Sequence, residues 1–243
     1  MKLLALDTSS TACSVALLDS DRPANEQVTS LHRIALRQQG RLILPMVQEL
    51  LQSASLTLKE LNGIVFGCGP GSFTGIRIAS TVAQGLAYAA KLPIIRISSL
   101  AAIAQSAFQD HDSWKNILVA IDARMSQIYW AIYSVNELGY VELIGKEDVY
   151  NPERVTMLKT IDDPTKTGQL DYNLSTLKER RWFGVGNGWE IYEEQIIMGL
   201  GFKPVEINPK QQPKAEALLK LAQGKILLGQ WVSAKEALPI YLS

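Results

Sequence analysis

Three short stretches hold the residue types that site chemistry needs. The first is Gly67-Cys68-Gly69-Pro70-Gly71-Ser72-Phe73-Thr74-Gly75, set between an apolar run and a helical one. Glycines let backbone N–H groups close on an anion, and a following helix adds the positive end of its dipole. Gly69 and Gly71 would line such a cradle, and Ser72 would offer its hydroxyl. No Gly-Lys-Ser/Thr ends the run, so it is not a Walker loop. The plainer alternative is a tight strand-to-helix corner with Ser72 as the helix N-cap.

The second stretch is Asp7-Thr8-Ser9-Ser10-Thr11. An acid at a strand end followed by hydroxyls suits Mg²⁺ and phosphate in a kinase-like site. The same residues also make a hairpin turn held by Asp and Thr side chains. The turn lacks Lys and Arg, which weakens the catalytic alternative. The third stretch, Ile121-Asp122-Ala123-Arg124-Met125 followed by Tyr129, is its counterpart in the second half. Asp122 and Arg124 either act on a ligand or form a weak surface ion pair.

Other chemistry is poorly furnished. His32 and His111 are the only histidines, and neither has a His or Cys at metal-ligand spacing. Cys13 and Cys68 make no disulfide framework and read as reduced thiols of a cytosolic protein. Cys68 would be reactive only if a helix dipole lowered its pKa.

The elements that must position these residues follow from periodicity and turn chemistry. Strands are predicted at Lys2–Asp7, Cys13–Leu18 and Val28–Ile34, as an antiparallel meander. A helix follows between Arg41 and Ala54, with Pro45 in its first turn or kinking it. Then come strand Gly63–Gly67, helix Ser72–Lys91, strand Pro93–Ile97 and a helix from N-cap Ser98 to about Asp110. This later alternation implies parallel strands with crossover helices. Asn116–Asp122, Gln127–Val135 and Val141–Ile144 are strands that repeat the opening pattern. Residues 151–171 read as loop with one short helix. A strand at Trp182–Gly184 and helices at Trp189–Met198 and Lys214–Gly224 complete the chain.

Two helices carry more apolar surface than one core needs. In the first, Leu42, Met46, Val47 and Leu50 belong to an apolar arc of about 200°, against the ~100° a core-facing helix requires. In the second, Arg77 is the one charge over some four turns and shares a stripe with Ser80, Thr81, Gln84 and Tyr88; Ala83 lies among small residues that allow close approach. Both helices suggest a docking face.

The 243 residues suit one large domain or two small ones. Hydrophobic residues are 47% and charged residues 20%, which excludes a disordered chain. Lys+Arg and Asp+Glu are 24 each, so no basic surplus marks a chain that grips nucleic acid alone. No run approaches the ~20 apolar residues of a membrane span. The expectation is a soluble, cytoplasmic protein.

Four runs together resemble one family. They are Leu6-Asp7-Thr8-Ser9, Leu44-Pro45-Met46-Val47, Gly69 through Arg77, and Ile121-Asp122-Ala123-Arg124-Met125 with Tyr129 and Trp130. They are similar to the TsaB (YeaZ) family, bacterial proteins required for threonylcarbamoyladenosine modification of tRNA. The likeness is close over residues 1–135 and looser beyond. It implies an α/β, actin-like fold of the sugar-kinase/Hsp70 type, with ribonuclease H-like lobes and mixed sheets. The lobes would be 1–110 and a smaller, irregular 111–243. It also implies a degenerate nucleotide site at Asp7, Thr8, Gly69, Gly71, Ser72 and Asp122.

The catalytic relative, TsaD, carries an Asn-His-Leu-Glu-x-His metal motif. Here its two histidine positions fall on Ser99 and Ile103, which cannot hold that metal. The resemblance therefore implies a non-catalytic subunit with no intrinsic cofactor. ATP or ADP would bind only in complex with TsaD. The implied partners are TsaD and TsaE, with a homodimer in isolation and tRNA reached indirectly. Leu42, Met46, Val47, Leu50, Arg77, Ser80, Thr81, Ala83, Gln84 and Tyr88 would form the docking face. The alternatives are an actin-like ATPase or small-molecule kinase using Asp7 and Asp122, and a glycoprotease-like metallopeptidase.

Overall fold

The computed structural model describes residues 1–156 and 180–242. The chain divides into two units, Met1–Ala102 with Gln212–Tyr241, and Ile103–Gln211. The division differs from 1–110 and 111–243 because the C-terminal helix and the segment after it return to the first unit.

The first unit is built on β1 (Lys2–Asp7), β2 (Ala12–Asp19), β3 (Val28–Ile34), β4 (Gly63–Gly67) and β5 (Ile94–Ile97), in the order β3-β2-β1-β4-β5. β1–β2 and β2–β3 are antiparallel; β1–β4 and β4–β5 are parallel. β1 is apolar at almost every position because both faces of the sheet are covered. Leu4 and Leu6 face one core with α1 (Gln39–Ser53) and α2 (Phe73–Ala90). Leu3 and Ala5 face another, closed by Ala215, Leu218, Leu219 and Ala222 of the C-terminal helix. Pro45 lies inside α1, on its exposed side. Ser72 caps α2 by accepting from Gly75 N–H, and Lys91 ends it in a left-handed conformation.

The second unit repeats this plan. Its strands are β6 (Asn116–Arg124), β7 (Gln127–Val135), β8 (Val141–Tyr150), β9 (Phe183–Val185) and β10 (Glu206–Asn208), in the order β10-β9-β6-β7-β8. The hairpins β6–β7 and β7–β8 are antiparallel, and β9 joins β6 and β10 in parallel. Strand for strand, β6 to β10 correspond to β1 to β5. The helix α4 (Gly188–Leu200) follows β9 as α2 follows β4, and packs Trp189 and Ile196 against Leu118 and Trp130. α3 (Ser99–Asp110) follows β5, with its first N–H groups donating to Ser98 Oγ. α5 (Ala215–Leu227) follows β10. β10 was not anticipated: three half-polar residues give no period to read. The loop expected over 151–171 includes a 3-10 turn at Pro152–Arg154, and 157–171 lie outside the described residues.

Candidate functional site

The two motifs expected to cradle phosphate in the first unit are packed on each other. Asp7 ends β1, fully buried. Its Oδ1 accepts from Ser9 N–H and Ser9 Oγ–H, each at 2.8 Å. Its Oδ2 has no partner and lies only 1.8 Å from where a Gly67 Cβ would stand. Burial pushes the carboxyl pKa up to about 6, against the lowering effect of the Ser9 bonds. Thr8 Oγ1 donates to the Gly75 carbonyl at 2.7 Å. Ser9 carbonyl accepts from Ser72 N–H at 2.7 Å.

The glycines explain themselves by these contacts. A Cβ on Gly75 would fall 1.9 Å from the Thr8 carbonyl oxygen, and one on Gly71 2.5 Å from that of Ser9. Both glycines are thus required by the close approach of the Asp7–Ser9 turn to the glycine run. Gly69 has φ +103° and closes on the Ile240 carbonyl; its N–H donates to Ser99 Oγ. Cys68 is buried and its thiol donates to the Ile97 carbonyl. Burial pushes the other thiol, Cys13, up to about 12.

The second unit uses the same device. Gly186, at φ +98°, would place a Cβ 2.4 Å from the Ala120 carbonyl oxygen, and Gly188 also abuts Ala120. Asp122 N–H donates to Asn187 Oδ1 at 3.1 Å. Asp122 Oδ2 pairs with the exposed Arg124 at 3.2 Å, and its Oδ1 accepts from Arg124 N–H. Arg124, Met125 and Ser126 form a hairpin tip with three consecutive positive φ values. The Asp122 side chain is largely buried while that of Arg124 is exposed.

The ten residues expected on a docking face divide in two. Met46, Val47, Leu50 and Ala83 are in the core of the first unit, their side chains turned inward rather than to the surface. Their arc was overestimated because side-chain type does not distinguish the inner from the outer flank of a helix. Ser80 is also buried. Its hydroxyl donates to the Ala237 carbonyl at 2.7 Å, and Gln84 Nε2 donates to the same oxygen at 3.2 Å. Leu42 is half-buried, while Arg77, Thr81 and Tyr88 are exposed. Leu44 at 50%, Phe73 at 59% and Tyr88 at 83% exposure now define the apolar part of the α1–α2 face. Leu44, which lies within the apolar arc of the first helix, and Phe73 were not among the expected docking-face residues; the outward flank of each helical projection would have selected them.

The strap from Trp231 to Tyr241 was also missed, being too short and irregular for periodicity. Val232 pairs antiparallel with Ile94, and Ile240 N–H donates to the Cys68 carbonyl at 2.7 Å. Among the described residues no three His, Cys, Asp or Glu side chains gather closely enough to hold a metal. Nor is any helix long and apolar enough to cross a membrane.

Two units of one topology, each a three-strand meander with two parallel strands added, define an actin-like α/β protein. The model of the family described as "TsaD: tRNA N6-adenosine threonylcarbamoyltransferase" matches residues 28–239. The TsaB protein of Haemophilus influenzae is 36% identical over all of this chain and 93% of its own length. That of Escherichia coli is 35% identical, over all of this chain and 94% of its own. The crystal structure of YeaZ from Pseudomonas aeruginosa superposes with a TM-score of 0.82 at 38% identity, covering 99% of both chains. The chain belongs to the TsaB family, whose members are named tRNA threonylcarbamoyladenosine biosynthesis proteins.

Proposed function

We propose that this chain takes part in threonylcarbamoyladenosine formation as a non-catalytic, cytoplasmic partner of a TsaD transferase. TsaD transfers the threonylcarbamoyl group to adenosine 37 of tRNAs reading ANN codons, and this chain supports it by docking. TsaE joins the assembly, tRNA is held by the other subunits, and the free chain pairs with itself. The observation that carries the reading is the closed glycine turn. The Thr8 carbonyl sits where a Gly75 side chain would begin, so this glycine serves the close packing of the two turns on each other, which supports a structural rather than a phosphate-binding role. The buried Asp7 Oδ2, without a hydrogen-bond partner among the described residues, lies against Gly67, the first residue of the glycine run. In this reading the two turns of the first unit are structural, and a nucleotide in the complex would be held mainly by TsaD.

The positions of the two metal-binding histidines support the same reading. Ser99 spends its hydroxyl on Gly69 N–H, and Ile103 is a buried alkyl side chain. The exposed Leu44, Phe73 and Tyr88 are the surface left for docking. Reconstitution tests the proposal. Purified TsaD, TsaE, threonylcarbamoyl donor and tRNA are combined with and without this chain, and modified adenosine is counted. A strong dependence on the chain is expected; unchanged yield would defeat the proposal. Calorimetry with ATP and Mg²⁺ on the chain alone separates the kinase alternative, which requires saturable binding lost in Asp7→Asn.

A further inference from the structure

Arg77 is held in place before any partner arrives. It stands on the exposed side of α2, one turn beyond Phe73. Its guanidinium carbon lies 3.6 Å from the centre of the Phe73 ring and 5.8 Å from that of Tyr241. Its Nε donates to Tyr241 Oη at 2.9 Å. Tyr241 is brought there by the strap, whose Ala237 carbonyl is fixed by Ser80 and Gln84 and whose Ile240 N–H is fixed by Cys68. The two terminal nitrogens of Arg77 have no protein partner among the described residues. A groove of about 460 Å³ opens beside them, bordered by Gly40, Phe73, Thr74, Ile78 and Thr81.

The two helices that border this groove offer it no free carboxylate. α2 contains no acid, and the only acid of α1, Glu49, is engaged by Arg33 at 2.8 Å. Arg41 is exposed next to Gly40. A guanidinium stacked on an aromatic ring keeps its planar fork aimed and loses little freedom on pairing. Such a fork matches a carboxylate through two parallel hydrogen bonds.

We infer that the groove receives an acidic side chain of a different protein, whose carboxylate pairs with the free end of Arg77 while a neighbouring apolar side chain settles between Phe73 and Ile78. A second copy of this chain would meet the groove with the same two helices, whose only carboxylate, Glu49, is already engaged by Arg33. The inference rests on the docking reading above and adds the chemistry that the partner must present. Tyr241 is then a positioning residue, acting through Arg77.

The test uses the full chain and purified TsaD, with affinity measured by calorimetry at low and raised salt. Arg77→Gln is expected to weaken binding about tenfold or more and to flatten its salt dependence. Arg77→Lys should recover only part of the loss, because an ammonium has no fork. Tyr241→Phe should weaken binding a few-fold at unchanged thermal stability. Leu44→Asp with Tyr88→Ala reports on docking by the face as a whole. Wild-type affinity in Arg77→Gln, with loss in the Leu44/Tyr88 variant, overturns the carboxylate inference and leaves docking intact. Wild-type affinity in both overturns docking as well. Loss of self-association in Arg77→Gln without loss of TsaD binding makes the occupant a second copy and also overturns the inference.

Discussion

At the scale of single residues, Asp7 is the clearest case of a site legible in type but not in environment. Its place at the end of a buried strand could be read from Leu3-Leu4-Ala5-Leu6-Asp7. That one oxygen is satisfied by Ser9 and the other faces Gly67 could not, because the contact spans sixty residues of chain. The consequence is a pH dependence of stability. Burial raises the folded carboxyl from 3.8 to about 6. Between these values the folded state holds a proton that the unfolded chain has lost, so stability rises as pH falls from 6 toward 3.8. Above pH 6 the fold carries the full penalty, at most about 3 kcal/mol. Asp7→Asn removes the titration. Melting temperatures of wild type and variant, compared at pH 4.5 and 7.5, should differ by more at one pH than at the other, with the wild type relatively weaker at 7.5. Parallel curves would show that Asp7 does not govern this window.

At the scale of elements, hydrophobic period and turn residues located most strands and helices, and the repeat of the opening pattern after residue 116 is a real duplication. What they could not supply is direction across space. Glycine says that something comes close, not what comes close. For Gly71 and Gly75 what comes close is a backbone carbonyl, of Ser9 and of Thr8. Two substitutions in one helix separate these roles. Gly75→Ala drives a Cβ into the Thr8 carbonyl and should cost about 1–3 kcal/mol or more. Gly85→Ala meets nothing within 4 Å on an exposed helix position and should gain about 0.5–1 kcal/mol. Urea unfolding of the pair decides it; equal shifts would mean that the turn has room to relax. The same logic applies to α1. Leu50→Asp places a charge in the core and should abolish cooperative melting, whereas Leu44→Asp should melt as wild type and affect only docking. Circular dichroism distinguishes the two, and folded Leu50→Asp would contradict the assignment of α1's inner face.

At the scale of the whole molecule, 24 basic and 24 acidic residues leave no basic surplus of the kind a chain gripping RNA alone usually carries. The more consequential feature is the path of the chain. Composition gives no hint that residues 212–241 belong with the first unit, because the apolar faces of α5 and β1 are complementary only in three dimensions. Leu218 and Leu219 are fully buried against Leu3, Ala5, Val65 and Ile95. Each contributes about 1.5–3 kcal/mol, a large share of the 5–15 kcal/mol or so that separates folded from unfolded states. The strap adds the cover over Gly63, where Trp231 stands against β4, and the two bonds to Ala237 that satisfy Ser80 and Gln84. Residues 1–211 expressed alone should therefore expose one face of the first sheet and fail to give a soluble, cooperatively melting protein. Adding 212–243 as a separate chain in the same cell should restore solubility, since the contacts need proximity rather than a peptide bond. A soluble 1–211 fragment with a sharp thermal transition would mean that the first unit is complete without the return of the chain, and that the strap holding Tyr241 over Arg77 is an accessory to the fold instead of part of it.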